Sequence, residues 1–319
     1  MGMIPAAISG RLRRPDVLRR LALASVAANV VIVVTGGAVR LTGSGLGCPT
    51  WPSCTDASLT PTRQYALHGI IEFSNRQLTF VLGLVAALTL VAAVLQRRER
   101  ALAGWGLGII PAQAVVGGIS VTTDLNPWVV SLHFLVSLAI IAVTVVLHHR
   151  LLVPDPPPGG TGPESGEPAA RITGLLTRGV VAVTAAVLVV GTVVTGAGPH
   201  PGDRNASGHV HRNGLNVASM SQLHADLVMI LLGLTLGLIA LLLAVRAGAR
   251  LTRAASIVLA AELGQGAVGY AQYFTGVPAP LVAVHMLGAC LLWIAVLHLA
   301  LEAVAVGDRK IDRVPAVVG

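Results

Sequence analysis

The chain has 319 residues, 54% of them hydrophobic and only 11% charged, with a mean hydropathy of +0.77. A soluble domain carries about 25% charged residues, so an ordinary globular protein is excluded. The formal charge of +8 does not point to nucleic acid, because the basic residues stand in short clusters between long apolar runs, where they read as topology signals and contacts to anionic lipid.

A membrane-spanning helix needs about 20 mostly apolar residues. Eight runs qualify, near 20–39, 65–95, 101–121, 127–149, 172–196, 217–245, 254–275 and 279–304. Pro111 and Gln113 interrupt the third, and Glu262 and Gln265 the seventh. The runs are continuous rather than alternating, which argues against a β-barrel. Seventeen Lys and Arg residues lie before the first run, after each even-numbered run but the last, and in the tail, for example Arg11, Arg97, Arg150, Arg250 and Lys310. The other side has Arg40, Arg63, Arg204 and Arg212. This bias predicts that both termini are cytoplasmic. The first run reads as an uncleaved anchor, since Thr35-Gly36-Gly37 is a poor cleavage site.

The Pro- and Gly-rich segment 154–170 reads as a flexible cytoplasmic linker. It separates two halves that repeat. Val33-Val34-Thr35-Gly36 ends the first run as Val193-Val194-Thr195-Gly196 ends the fifth. Ala66-Leu67-His68 resembles Gln222-Leu223-His224, and Gln113 precedes His133 by the same 20 residues as Gln265 precedes His285. Four helices separate equivalent elements, so the repeats are parallel. The predicted fold is an all-α integral membrane protein of eight transmembrane helices, in two tandem, pseudo-symmetric four-helix bundles. Its parts are 1–153, the linker 154–170, 171–305 and a cytoplasmic tail at 306–319.

His68, His133, His224 and His285 lie in the first turns of the four even-numbered runs, at similar depth and two per half. Facing histidines inside a bundle suit a haem iron; paired polar sites of a transporter are the alternative. His148 and His149 read as interfacial, and His200, His209 and His211 as solvated loop residues. His298 reads as a satisfied bundle residue. Glu72 lies one turn after His68 on the same face, and a buried carboxylate in a membrane usually marks function. Pairing His68 with His224 makes Val228 its counterpart, so only one half has the acid. A salt bridge to Arg76 is the other reading of Glu72. Asp226 reads as a cap or pair, and Glu262 as an acid without an evident partner. Cys48 and Cys54 share an outer loop in an oxidising compartment, where a disulfide would be a structural staple or a reducible redox bond. Cys290 reads as a small apolar residue.

Eight helices in two halves, the GLGCPTWPSC loop, EFSNR at 72–76 and LNPWVVSLH at 125–133 resemble the haem A synthase family over nearly the whole chain. The Arg- and Ala-rich composition resembles an actinobacterial branch. The resemblance implies oxidation of the C8 methyl of haem O to a formyl group, making haem A for cytochrome c oxidase. It implies a substrate haem and catalytic site in the N-terminal half, and haem b held by His224 and His285 in the C-terminal half. His133 would face the substrate haem, Glu72 would be the essential acid, and Cys48 and Cys54 the paired loop cysteines. Haem O synthase, oxidase assembly factors and a membrane electron acceptor are the implied partners. The family pattern Glu-x-x-His-Arg reads here Glu72-Phe73-Ser74-Asn75-Arg76. An Asn amide is a poor haem ligand, so the expected iron ligand is His68, with Asn75 and Arg76 beside the haem; His133 alone is the alternative. A dihaem b-type electron-transfer protein would need the ligands but not Glu72, and a transporter would be colourless.

Overall fold

The computed structural model describes residues 6–61, 66–152, 168–203 and 212–311. Most of the predicted linker, the last eight residues of the tail, and His209 and His211 lie outside them. Among the described residues the chain is helical, with two isolated β-bridges and no strand. A short α1 (Ala6–Leu12), not expected from the sequence, precedes α2 (Pro15–Leu41), α3 (Ala66–Gln96), α4 (Arg100–Thr122) and α5 (Pro127–Leu152). The second half has α6 (Pro168–Ala197), α7 (Val217–Ala244), α8 (Ala249–Phe274) and α9 (Ala279–Ile311). Helices α2 to α9 cover the eight apolar runs. Pro111 sits inside α4 without ending it.

Local chemistry sets the helix ends. Pro15 opens α2, where its missing N–H costs nothing. The Asn216 side chain accepts the Ser219 N–H at 3.0 Å and caps α7. Four tight turns close with the same backbone bond, from an N–H to the carbonyl five residues earlier: Arg98 to Ala93, Leu125 to Ser120, Ala247 to Leu242 and Val277 to Gln272. This is the Schellman ending, which satisfies otherwise unpaired carbonyls. Each turn places at least one residue at positive φ, including Asp124, Leu125, Arg246 and Gly276.

Helix α2 packs on α3 and α5, and α4 on α3 and α5; α6 to α9 pack in the same cyclic order. The two groups meet through α2, α5, α6 and α9. Val180, Leu231, Leu238, Val258 and Val296 centre the second group's core. A third core joins the groups, with Val33, Leu138 and Ile141 against Leu188 and Cys290. Trp293 Nε1 donates across it to the Leu138 carbonyl at 3.1 Å. Cys290 is fully buried there, as a small apolar residue.

Among the described residues, seven helices are long and apolar enough to cross a membrane: α2 to α7 and α9. Helix α8 is 26 residues long but the least apolar of the eight, since it carries Arg250, Arg253, Glu262, Gln265 and Gln272. Large apolar side chains such as Phe80, Trp105 and Phe274 are exposed along the helices. Water would not tolerate apolar surface on that scale, whereas lipid accepts it once the backbone is satisfied within helices. The chain is a multi-pass membrane protein.

Several histidine expectations need correction. His149, in the last turn of α5, is buried and has a partner that the sequence did not show: its Nε2 lies 3.6 Å from Glu302 Oε1, which also takes Arg250 Nη2 at 3.0 Å. His298 is not enclosed by the bundle; its side chain is half exposed, 3.9 Å from the same carboxylate. His200 is not merely solvated, for its Nε2 meets the Val277 carbonyl at 2.7 Å and its own carbonyl accepts from Arg40. The contacts of His149 with Glu302 and of His200 with Val277 join distant parts of the chain, so no periodicity announces them, whereas His298 and Glu302 are one helical turn apart. Glu262 does have a partner, Thr235 Oγ1 at 2.7 Å, and Asp226 pairs with Gln222.

Candidate functional site

The first connection, residues 42–61, folds back onto the start of α3. At Gly47 the two backbones nearly touch, and a Cβ there would lie 2.3 Å from the His68 carbonyl oxygen. Only glycine permits this crossing. It brings Cys48 over α3, where its N–H donates to Glu72 Oε2 at 2.7 Å. Arg76, one turn further, donates to Glu72 Oε1 at 2.6 Å. The same guanidinium donates to the carbonyls of Cys48, Thr50 and Ser53. Glu72 and Arg76 therefore form the socket of a small loop that the Cys48–Cys54 disulfide closes. Trp51, at the loop tip, lies against Gly118 of α4.

Both readings of Glu72 from sequence have a physical counterpart here. The salt bridge to Arg76 exists, and the carboxylate is 6% exposed. The carboxylate is held under the loop by the Arg76 guanidinium and the Cys48 N–H. The loop contact was invisible in sequence, because 24 residues separate Cys48 from Glu72.

In the second half His224 and His285 face one another from α7 and α9, with ring centroids 6.5 Å apart and planes at 68°. The Gln265 side chain donates to the His285 carbonyl at 2.9 Å and braces α8 against α9. Gly191 and Gly269 lie against the two rings, where a Cβ would come within 3.2 Å and 3.7 Å of Cε1. The first half repeats this. Gln113 donates to the His133 carbonyl at 2.7 Å, and Gly117 lies against the His133 ring. The Nδ1 atoms of His133, His224 and His285 are buried without a hydrogen-bond partner. The Gln braces and ring-facing glycines were not read as site residues; the equal Gln-to-His spacing was their signal.

The turns give the two halves a common register. His133 and His285 each stand 13 residues after the accepting carbonyls of Ser120 and Gln272. His224 stands 18 residues before Leu242, and the residue 18 before Ala93 is Asn75. The counterpart of His224 is thus Asn75, not His68, and that of Glu72 is Ser221, not Val228. Asn75 Oδ1 accepts from Thr35 Oγ1 of α2 at 2.8 Å. His68 sits nearer the loop, with Nδ1 2.8 Å from Ser44 Oγ.

Residues 19–297 match the family described as cytochrome oxidase assembly protein. The chain belongs to this family. Curated relatives named haem A synthase include one from Geobacillus thermodenitrificans, 32% identical over 107 residues, covering 32% of this chain and 33% of the relative. Another, from Alkalihalophilus pseudofirmus, is 31% identical over 140 residues, covering 40% and 46%. A third, from Exiguobacterium sibiricum, is 34% identical over 123 residues, covering 37% and 41%. The matched stretches thus span between a third and just under half of these relatives' length.

The loop bond is open to direct test. Mass spectrometry of unreduced peptides should recover Cys48 and Cys54 linked, and two free thiols would contradict it. Removing the bond should cost about 2 kcal/mol, the loop-closure entropy of so short a ring.

Proposed function

We propose that the chain is a haem A synthase: it oxidises the C8 methyl of haem O to a formyl group for cytochrome c oxidase. In this reading eight helices span the membrane as two tandem, pseudo-symmetric bundles, residues 1–153 and 171–305, with both termini cytoplasmic. The N-terminal half holds the substrate and the C-terminal half holds haem b. The observation that carries the reading is the His224–His285 pair. The two rings face one another from separate helices with centroids 6.5 Å apart, a pair of imidazoles that would hold one haem iron. The buried Nδ1 atoms leave Nε2 as the nitrogen for a ligand, and the ring-facing glycines supply the space. The donor set fits haem b, which when bound supplies one-electron relay chemistry.

Each oxidation takes two electrons and one proton from the methyl carbon and adds water, which releases the second proton: methyl to alcohol, then alcohol to geminal diol. Loss of water from the diol gives the aldehyde. Four electrons and four protons leave in all, the electrons to a membrane acceptor. Positive charge develops on the carbon attached to the macrocycle, and Glu72 is the group placed to stabilise it and take up the proton. Arg76 holds Glu72 in position, and the disulfide loop covers it from water. His133, braced by Gln113, holds the substrate iron.

The reading predicts pigment. Purified after coexpression with a haem O source, the protein should yield haem b together with haem O or haem A on extraction. A colourless preparation would contradict it and favour a transporter; haem b with no haem O or haem A would favour an electron carrier.

A further inference from the structure

We infer that haem in the N-terminal half has a single protein ligand, His133, and that its opposite face meets the Asn75 amide rather than a second imidazole. This rests on the reading of the N-terminal half as the substrate half.

The tight turns impose a common register on the two halves. Measured from Ala93 and Leu242, Asn75 and His224 occupy the same position; measured from Ser120 and Gln272, so do His133 and His285. The second half sets two imidazoles face to face across 6.5 Å. The first half keeps one of them, with the same Gln brace and the same glycine against the ring. Where the other would stand, it has an amide. An amide nitrogen offers no lone pair to a metal, and the Asn75 oxygen, a poor haem ligand, is turned toward Thr35 of α2.

His68 does not replace it. It precedes Asn75 by seven residues, about two turns and so about 10 Å along the axis. It shares the helix face but lies at another depth. Its Nδ1 meets Ser44, and its backbone is crossed by Gly47. The two halves therefore differ in coordination: a closed bis-histidine site and a site with one open iron face. An open face on reduced iron binds carbon monoxide, and a bis-histidine face does not.

The test uses the purified full-length protein titrated with protohaem, reduced, and exposed to carbon monoxide. Two haems are expected. One is low-spin, insensitive to carbon monoxide and lost in His224→Ala. The other is high-spin, reacts with carbon monoxide, is lost in His133→Ala and is retained in His68→Ala. Asn75→His should turn that second haem low-spin and abolish its carbon monoxide reaction. Two low-spin haems in the unaltered protein, loss of the second haem in His68→Ala, or uptake of one haem only would each overturn the inference, whether or not the Asn75 variant folds. A protein that takes up no haem even at the His224–His285 pair would overturn the functional reading itself.

Discussion

The Glu72→Gln protein should keep its haem and lose haem A formation by about a hundredfold or more, the lower end of general acid–base contributions. Glutamine preserves the length of the side chain and one acceptor oxygen. It removes the negative charge that faces the developing cation and the site that takes the proton. The substitution also disturbs the loop, because one of the two contacts, from Arg76 or the Cys48 N–H, would meet an amide NH2 instead of an oxygen. The Cys48→Ser/Cys54→Ser double variant separates the two effects. It loosens the same loop and leaves the carboxylate, so a loss of only a few-fold is expected. Equal losses in both proteins would make Glu72 a loop anchor rather than a catalytic residue. Haem chromatography of each purified variant measures the difference, and the absorption spectrum reports haem retention.

His224→Ala and His285→Ala should each abolish the low-spin haem b spectrum while the protein still inserts. Either change removes one of two strong ligands from a site whose walls, Gly191, Gly269 and the Gln265 brace, stay in place. The iron would be left with one imidazole or lost altogether. An unchanged low-spin spectrum in both variants would show that the pair does not hold the haem. Because α7 and α9 are also joined through the core around Leu238 and Val296, the fold should survive truncation of either ring.

The apolar runs made the eight long helices readable, since length and continuity alone separate them from strands. Boundaries drifted outward: α2 begins at Pro15 and α6 at Pro168, where proline opens a helix before the apolar stretch starts. Helix α1, at seven residues, is too short to leave a periodic signal. The repeat was legible, but its register was not. His68 and Asn75 differ by seven residues, nearly two full turns, so they share a face and a hydrophobic pattern. Only the turn at Arg98 shows which of them lies at the depth of His224. Contacts across long separations were unreadable for the same reason that they are informative. Glu72 to Cys48, His149 to Glu302 and Arg40 to His200 each depend on which helices become neighbours.

Membranes from cells that make haem O but no haem A should be compared with and without this chain, by extracting and chromatographing their haems. With the chain present, haem A should appear as haem O declines, through a hydroxylated species of intermediate polarity, and Glu72→Gln should suppress that product. Haem O that stays unconverted, in membranes where the chain is inserted and carries its low-spin haem, would contradict the account.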